Sequence, residues 1–157
     1  MLSLPCKIKN PLLRKMVISP SVWQVLEESK CIAESYRCSY VIPEHVLTVL
    51  YGQEAFRQSL EESGYGLEGF CQAVGSFVNA FASKSGCQRD PIKISRPLRW
   101  ALENAIEFAS DTPDSVLRIP HIIYGISLLK DTLGGYLLRE KGTSLSKLLS
   151  HLDDLYS

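Results

Sequence analysis

Apolar positions recur along this chain at helical rather than strand spacing. Behind Ser19-Pro20, a side-chain N-cap followed by proline at the first helical position, Val22, Val25, Leu26, Ser29, Ile32 and Ala33 share one face and predict a first helix. A second begins at Pro43. Its Val46, Leu47, Val49 and Leu50 are too densely apolar for a surface helix and should face a core, and Gly52 ends it. A third covers Ala55 to Glu62, with Phe56 and Leu60 one turn apart and Gly64 at the C-cap. A fourth, Leu67 to Phe81, is expected to bury Leu67, Phe70, Val74, Phe77 and Val78. No convincing period-two run is present, so the predicted class is all-α.

The polar, glycine- and proline-punctuated stretch from Ala82 to Pro91 reads as a loop between two halves. The second half repeats the first. Ser95, Leu98, Leu102, Glu103, Phe108 and Ala109 match Ser19, Val22, Leu26, Glu27, Ile32 and Ala33 in order and without a gap. Ile119-Pro120-His121 echoes Ile42-Pro43-Glu44-His45 with one residue fewer, and Leu138 to Gly142, with Leu145 and Leu148, echoes Leu60 to Gly64 with Leu67 and Phe70. The predicted organisation is an extension outside the folded unit over residues 1–17, then one domain over 18–157. Within it, repeat one covers 18–81, a loop 82–93 and repeat two 94–155. Two four-helix repeats with unfinished apolar faces should pack about a pseudo-twofold axis, about eight helices sharing one core.

Composition narrows the function. With 157 residues the chain suits one domain. Lys plus Arg and Asp plus Glu balance at 17 each, which leaves no basic field for nucleic acid. No apolar run approaches the roughly 20 residues that span a bilayer. The basic start, with Lys7, Lys9, Arg14 and Lys15, is interrupted by Pro5 and Pro11, so it does not form the amphipathic helix of an import signal. Five scattered cysteines with no C-x-x-C pair suggest neither a disulfide framework nor a zinc knuckle, and a reducing cytoplasm fits best. Cys31 reads as a small core residue and Cys38 as a loop thiol.

Several strings imitate catalytic motifs. Gly64-x-Gly66-x-x-Gly69 has the dinucleotide fingerprint, but a helix rather than a strand precedes it. Gly64 and Gly69 also have phosphate-loop spacing, yet Phe70-Cys71 stands where Lys and a hydroxyl residue are required. Cys31, Cys38 and His45 recur every seven residues, but Pro43 breaks the helix that would align them as metal ligands. His45 and His121 occupy matching first-turn positions, where a structural hydrogen bond is the simplest role. Asp111, Asp114, Glu140, Asp153 and Asp154 read as caps or solvated charges. No catalytic residue, metal or cofactor is therefore expected in this chain.

The run Pro43-Glu44-His45-Val46-Leu47 with Leu50, the paired helix ends Leu60 to Gly64 and Leu138 to Gly142, and the duplication itself together resemble the Clp amino-terminal domain. The likeness covers roughly residues 18 to 155 and is closest to the ClpA, ClpB and ClpC domains. The resemblance implies a non-catalytic docking platform for adaptors and unfolding substrates of an ATP-dependent Clp unfoldase, protease or disaggregase. It also implies a hexameric parent, association with a Clp peptidase, and ATP held in downstream modules. A stand-alone Clp accessory subunit, or the amino domain of a type VI secretion sheath-disassembling ATPase, are the alternatives. Two departures stand out: Pro120 replaces a Glu before His121, and Ile42 and Ile119 replace the usual Thr or Ser cap. In some Clp domains the acid matching Glu44 forms part of a pocket for phosphorylated arginine. The simpler role is an exposed first-turn acid complementing the helix dipole, worth up to about 1 kcal/mol. The candidate partner-binding residues are Val41, Ile42, Glu44, Arg118 and Ile119, expected to form an amphipathic patch near the groove shared by the repeats.

Overall fold

A computed structural model of the chain describes residues 16–85, 91–139 and 142–156. Among these, α1 (Pro20–Ser35), α2 (Pro43–Tyr51), α3 (Glu54–Glu62) and α4 (Leu67–Ser85) form the first repeat. The second contains α5 (Arg96–Ser110), α6 (Ile119–Ser127), α7 (Leu133–Arg139) and α8 (Gly142–Leu155). The two opening helices start alike: the Val22 N–H donates to Ser19 Oγ at 3.4 Å, and the Leu98 N–H to Ser95 Oγ at 3.2 Å. α4 runs past the expected end at Phe81, because Ala82 to Ser85 contains no breaker and the first glycine is Gly86.

Four two-residue strands lie outside the helical pattern: β1 (Val17–Ile18), β2 (Tyr40–Val41), β3 (Lys93–Ile94) and β4 (Val116–Leu117). β1 pairs in parallel with β4, and β2 with β3, so each pair joins one repeat to the other. The Ser19 N–H donates to the Leu117 carbonyl and the Ser95 N–H to the Val41 carbonyl, both at 3.0 Å. The displacement that carries Ser19 to Ser95 also carries β1 onto β3, β2 onto β4 and His45 onto His121. Exchanging the repeats therefore maps one strand pair onto the other. The expected extension is shorter than residues 1–17, since Met16 packs on the core and Val17 belongs to β1; residues 1–15 lie outside the described set.

This constant displacement corrects the repeat alignment at α2 and α6. The Ile42 N–H donates to His45 Nδ1 at 3.0 Å, and the Arg118 N–H donates to His121 Nδ1 at 3.0 Å. Arg118, not Ile119, is thus the partner of Ile42; Ile119 matches Pro43 and Pro120 matches Glu44. The shared Ile-Pro dipeptide suggests a deletion that the backbone does not contain. The length change comes later: Gly52 and Gln53 connect α2 to α3, whereas Leu128 to Thr132 connect α6 to α7.

The core is continuous across both repeats. Phe56, Leu47 and Leu60 of the first half and Leu98, Leu102 and Ile122 of the second are fully buried members of one cluster. α2 meets α5 and α7, and α3 meets α8. The buried Tyr65 hydroxyl donates to the Leu138 carbonyl at 2.8 Å, and the Tyr156 hydroxyl donates to the Gln53 side-chain oxygen, so both clasps cross between repeats. The cysteine expectations reverse: Cys31 is exposed on the outer face of α1, and Cys38 is buried in the core.

Candidate functional site

The five residues expected to bind a partner do not form one exposed patch. Val41, Ile42, Glu44 and Ile119 are buried, while Arg118 is partly exposed and ion-paired with Asp114 at 2.6 Å. The Arg118 guanidinium beside it holds the Asp114 carboxyl down at about 2. Ile42 and Glu44 do share a cavity of about 430 Å3, whose other walls include Tyr40, Phe77 and Phe81. Val41, Arg118 and Ile119 are not among its lining residues.

A second cavity, of about 720 Å3, adjoins the first across Arg96, Pro97, Asp131 and Thr132. Trp100, Leu128 and Leu129 line it, with Glu103 and Lys130 adding charge. Together the two cavities make a groove between α4, the start of α5 and the α6–α7 loop. Its apolar surface is wet: Trp100 is 59% and Phe77 39% exposed, and Tyr40 and Leu128 are also exposed. The helical stripe of α4 places Phe77 in the core, and the structure corrects this. Phe77 sits one turn from Val74 and next to Val78, which are buried, but its own position faces the groove.

Among the described residues, the groove's lining is not repeated across the pseudo-twofold. The matching positions carry Gln24 for Trp100, Val116 for Tyr40, Arg118 for Ile42 and Pro120 for Glu44. The five-residue wall from Leu128 to Thr132 has only Gly52 and Gln53 as its counterpart in the first repeat. The longer α6–α7 connection, present in the sequence as a change in spacing, was the available signal for this site.

Glu44 is 2% exposed, so it is not the solvated first-turn acid that its sequence position suggests. Its Oε1 accepts the Gly134 N–H at 3.1 Å, a bond from repeat one to the start of α7 in repeat two. Burial pushes the carboxyl above the ordinary carboxylate range, against the opposing pull of the Gly134 N–H. A Cβ at Gly134 would lie 3.0 Å from Leu47 Cδ1 and 3.3 Å from Ile126 Cγ2, so α7 starts in close contact with both repeats.

His45 is fully buried, with Nδ1 as an acceptor, and its ring meets Phe81 edge-on at 6.2 Å. Burial lowers its pKa to about 4. Since this lies below the ordinary 6.5, the unfolded chain takes up a proton that the folded chain refuses. The resulting stability, on the order of 3 kcal/mol, is complete above pH 6.5 and disappears as pH falls toward 4. His121 is lowered by burial and acts in the same direction, while the raised Glu44 acts in the opposite one. In His45→Gln, the amide oxygen can still accept the Ile42 N–H, as in a capping box. Urea unfolding of this variant should therefore show a shallower stability loss over that pH range than the wild type. Parallel pH profiles would contradict the assignment.

No described helix is long and apolar enough to cross a membrane. Residues 17–141 match the family model described as the Clp repeat (R) N-terminal domain. A chain from structural investigations of a malarial protein secretion system superposes with a TM-score of 0.68 at 17% identity, covering 88% of this chain and 93% of that one. The N-terminal domain of Hsp104 from Candida albicans gives a TM-score of 0.64 at 15% identity, covering 88% of this chain and 91% of that one. At these identities the likeness to both is one of fold.

Proposed function

The chain belongs to the Clp repeat (R) N-terminal domain family, and from that premise we propose that it is a non-catalytic docking domain that takes an extended apolar stretch of another protein into the groove beside α5. The observation that carries this reading is the gathering of Tyr40, Phe77, Trp100 and Leu128 around two adjoining cavities. Exposed apolar side chains scattered singly need no explanation, but a contiguous apolar groove rimmed by charge is the form of a protein-binding site. Arg96 and Asp131, where the cavities meet, orient the bound segment more than they hold it.

Of the five residues expected from sequence, Ile42 and Glu44 belong to this proposed site. Val41, Arg118 and Ile119 do not line it. The occupants we propose are adaptors and unfolding substrates of an ATP-dependent Clp unfoldase, with the ATP-binding modules and the hexameric assembly lying outside this chain.

Reduced, carboxymethylated α-lactalbumin labelled with fluorescein is a suitable probe, because it is permanently unfolded. Titration followed by anisotropy should saturate in the roughly micromolar range, and native α-lactalbumin should not bind. Trp100→Ala removes the largest exposed aromatic and should weaken binding about tenfold, since buried Trp anchors dominate interface energetics. Unchanged affinity in Trp100→Ala, or equal binding of native α-lactalbumin, would contradict the docking reading.

A further inference from the structure

The groove wall from Leu128 to Thr132 is irregular backbone, and polar contacts of three side chains tie it and the adjoining start of α7 in place. Arg139, on α7, donates through Nη1 to the carbonyls of Ser127, at 2.7 Å, and Leu129, and through Nη2 to that of Lys130 at 3.4 Å. Thr132 Oγ1 accepts the Gly135 N–H at 3.1 Å, capping α7. Glu44, from the other repeat, accepts the neighbouring Gly134 N–H. Gly135 lets the parts close up, because a Cβ there would lie 2.1 Å from the Leu129 carbonyl oxygen and 3.0 Å from Arg139 Nη1.

Arg139 lines neither cavity. Its planar fork instead gathers carbonyls left free at the end of α6, and those carbonyls belong to residues that make or adjoin the groove wall. We propose that Arg139 is a positioning residue for the docking groove: it fixes Leu128 and Leu129 in the geometry that an incoming apolar segment meets. Glu44 completes the same device from the opposite repeat, tying the floor of the groove to the α7 end of the wall. This inference rests on the docking reading above. It assigns Arg139 a role behind the contact surface and Glu44, which lines the smaller cavity, a role in holding the start of α7, where preorganisation of the wall lowers the ordering cost of binding.

The test uses Arg139→Lys, which retains the charge but cannot reproduce the fork across three carbonyls. Far-UV circular dichroism should match the wild type, and amide exchange read by mass spectrometry should accelerate over residues 128–135 while α1 and α2 are unchanged. The dissociation constant for fluorescein-labelled carboxymethylated α-lactalbumin should rise about tenfold. A merely structural arginine would leave that constant unchanged well below the melting temperature. Unaltered exchange of the wall, or faster exchange with unaltered binding, overturns the proposal.

Trp100→Ala separates the two readings. If it weakens binding and Arg139→Lys does not, docking stands and positioning falls. If the wild type fails to bind the probe, both fall. A further check needs no variant: in the wild type, the Gly134 and Gly135 amides should be as protected as the core of α6. Exchange at the rate of an open loop overturns the proposal.

Discussion

Glu44→Lys is expected to lower the unfolding free energy by about 3–5 kcal/mol, a large part of the stability of a domain this size. The carboxylate is 2% exposed and accepts the Gly134 N–H, so the substitution buries an ammonium and strands a donor at once. Lysine has no acceptor with which to answer Gly134. Glu44→Gln keeps an amide oxygen for that bond and discards a charge that burial already disfavours, so its stability should stay within about 1 kcal/mol of wild type. Urea unfolding at neutral pH measures both. A loss below about 1 kcal/mol in Glu44→Lys would return Glu44 to the exposed helix-dipole role that its sequence position suggests.

Gly125→Ala should cost about 3 kcal/mol, the upper end of ordinary overpacking. A Cβ at Gly125 would lie 2.1 Å from the carbonyl oxygen and 3.0 Å from the carbonyl carbon of Ala101. Both atoms belong to the backbone of α5, so no rotamer change can relieve the contact, and α5 and α6 must move apart. The first repeat has Val25 and Val49 at the matching positions, which shows that the close approach belongs to the second repeat alone. Gly75→Ala is the control, because its added Cβ meets nothing within 4 Å in the middle of α4. There the gain in helix propensity should stabilise by roughly 0.5–1 kcal/mol. Thermal unfolding of the two variants should move in opposite directions, and a neutral Gly125→Ala would refute the tight α5–α6 crossing.

The helices were legible because their signals are local. Ser19-Pro20, Pro43 and Gly64 mark ends within a few residues of the apolar stripes they bound, and the same grammar written twice made the duplication plain. The strands were not legible, since two residues cannot display a period of two. Glu44 is misread from sequence for a related reason: its partner amide is 90 residues away, and no spacing rule connects them. Phe77 and Phe108 fall on predicted helical stripes but are 39% and 42% exposed, because a stripe wide enough to include them is wider than the face that packs. Trp100 and Leu128 gave no periodic signal at all. They meet across the groove only after α5 and the α6–α7 loop are brought together by the fold.

The crossed pairing of β1 with β4 and β2 with β3 makes this chain, in topology, a twofold dimer produced in one piece. Two separate copies of one repeat would meet through a self-complementary interface at a rate set by their concentration. Joining them turns that encounter into an intramolecular one with a high effective concentration. Fusion also releases the halves from identity. A true homodimer must offer a surface feature twice or not at all, whereas here Trp100 and the long wall on one half face no obligation to reappear where Gln24 and Gly52 stand on the other. On the docking proposal, a segment bound beside Trp100 therefore meets a groove whose two ends differ, and the domain, not a symmetric choice, sets the direction in which that segment lies.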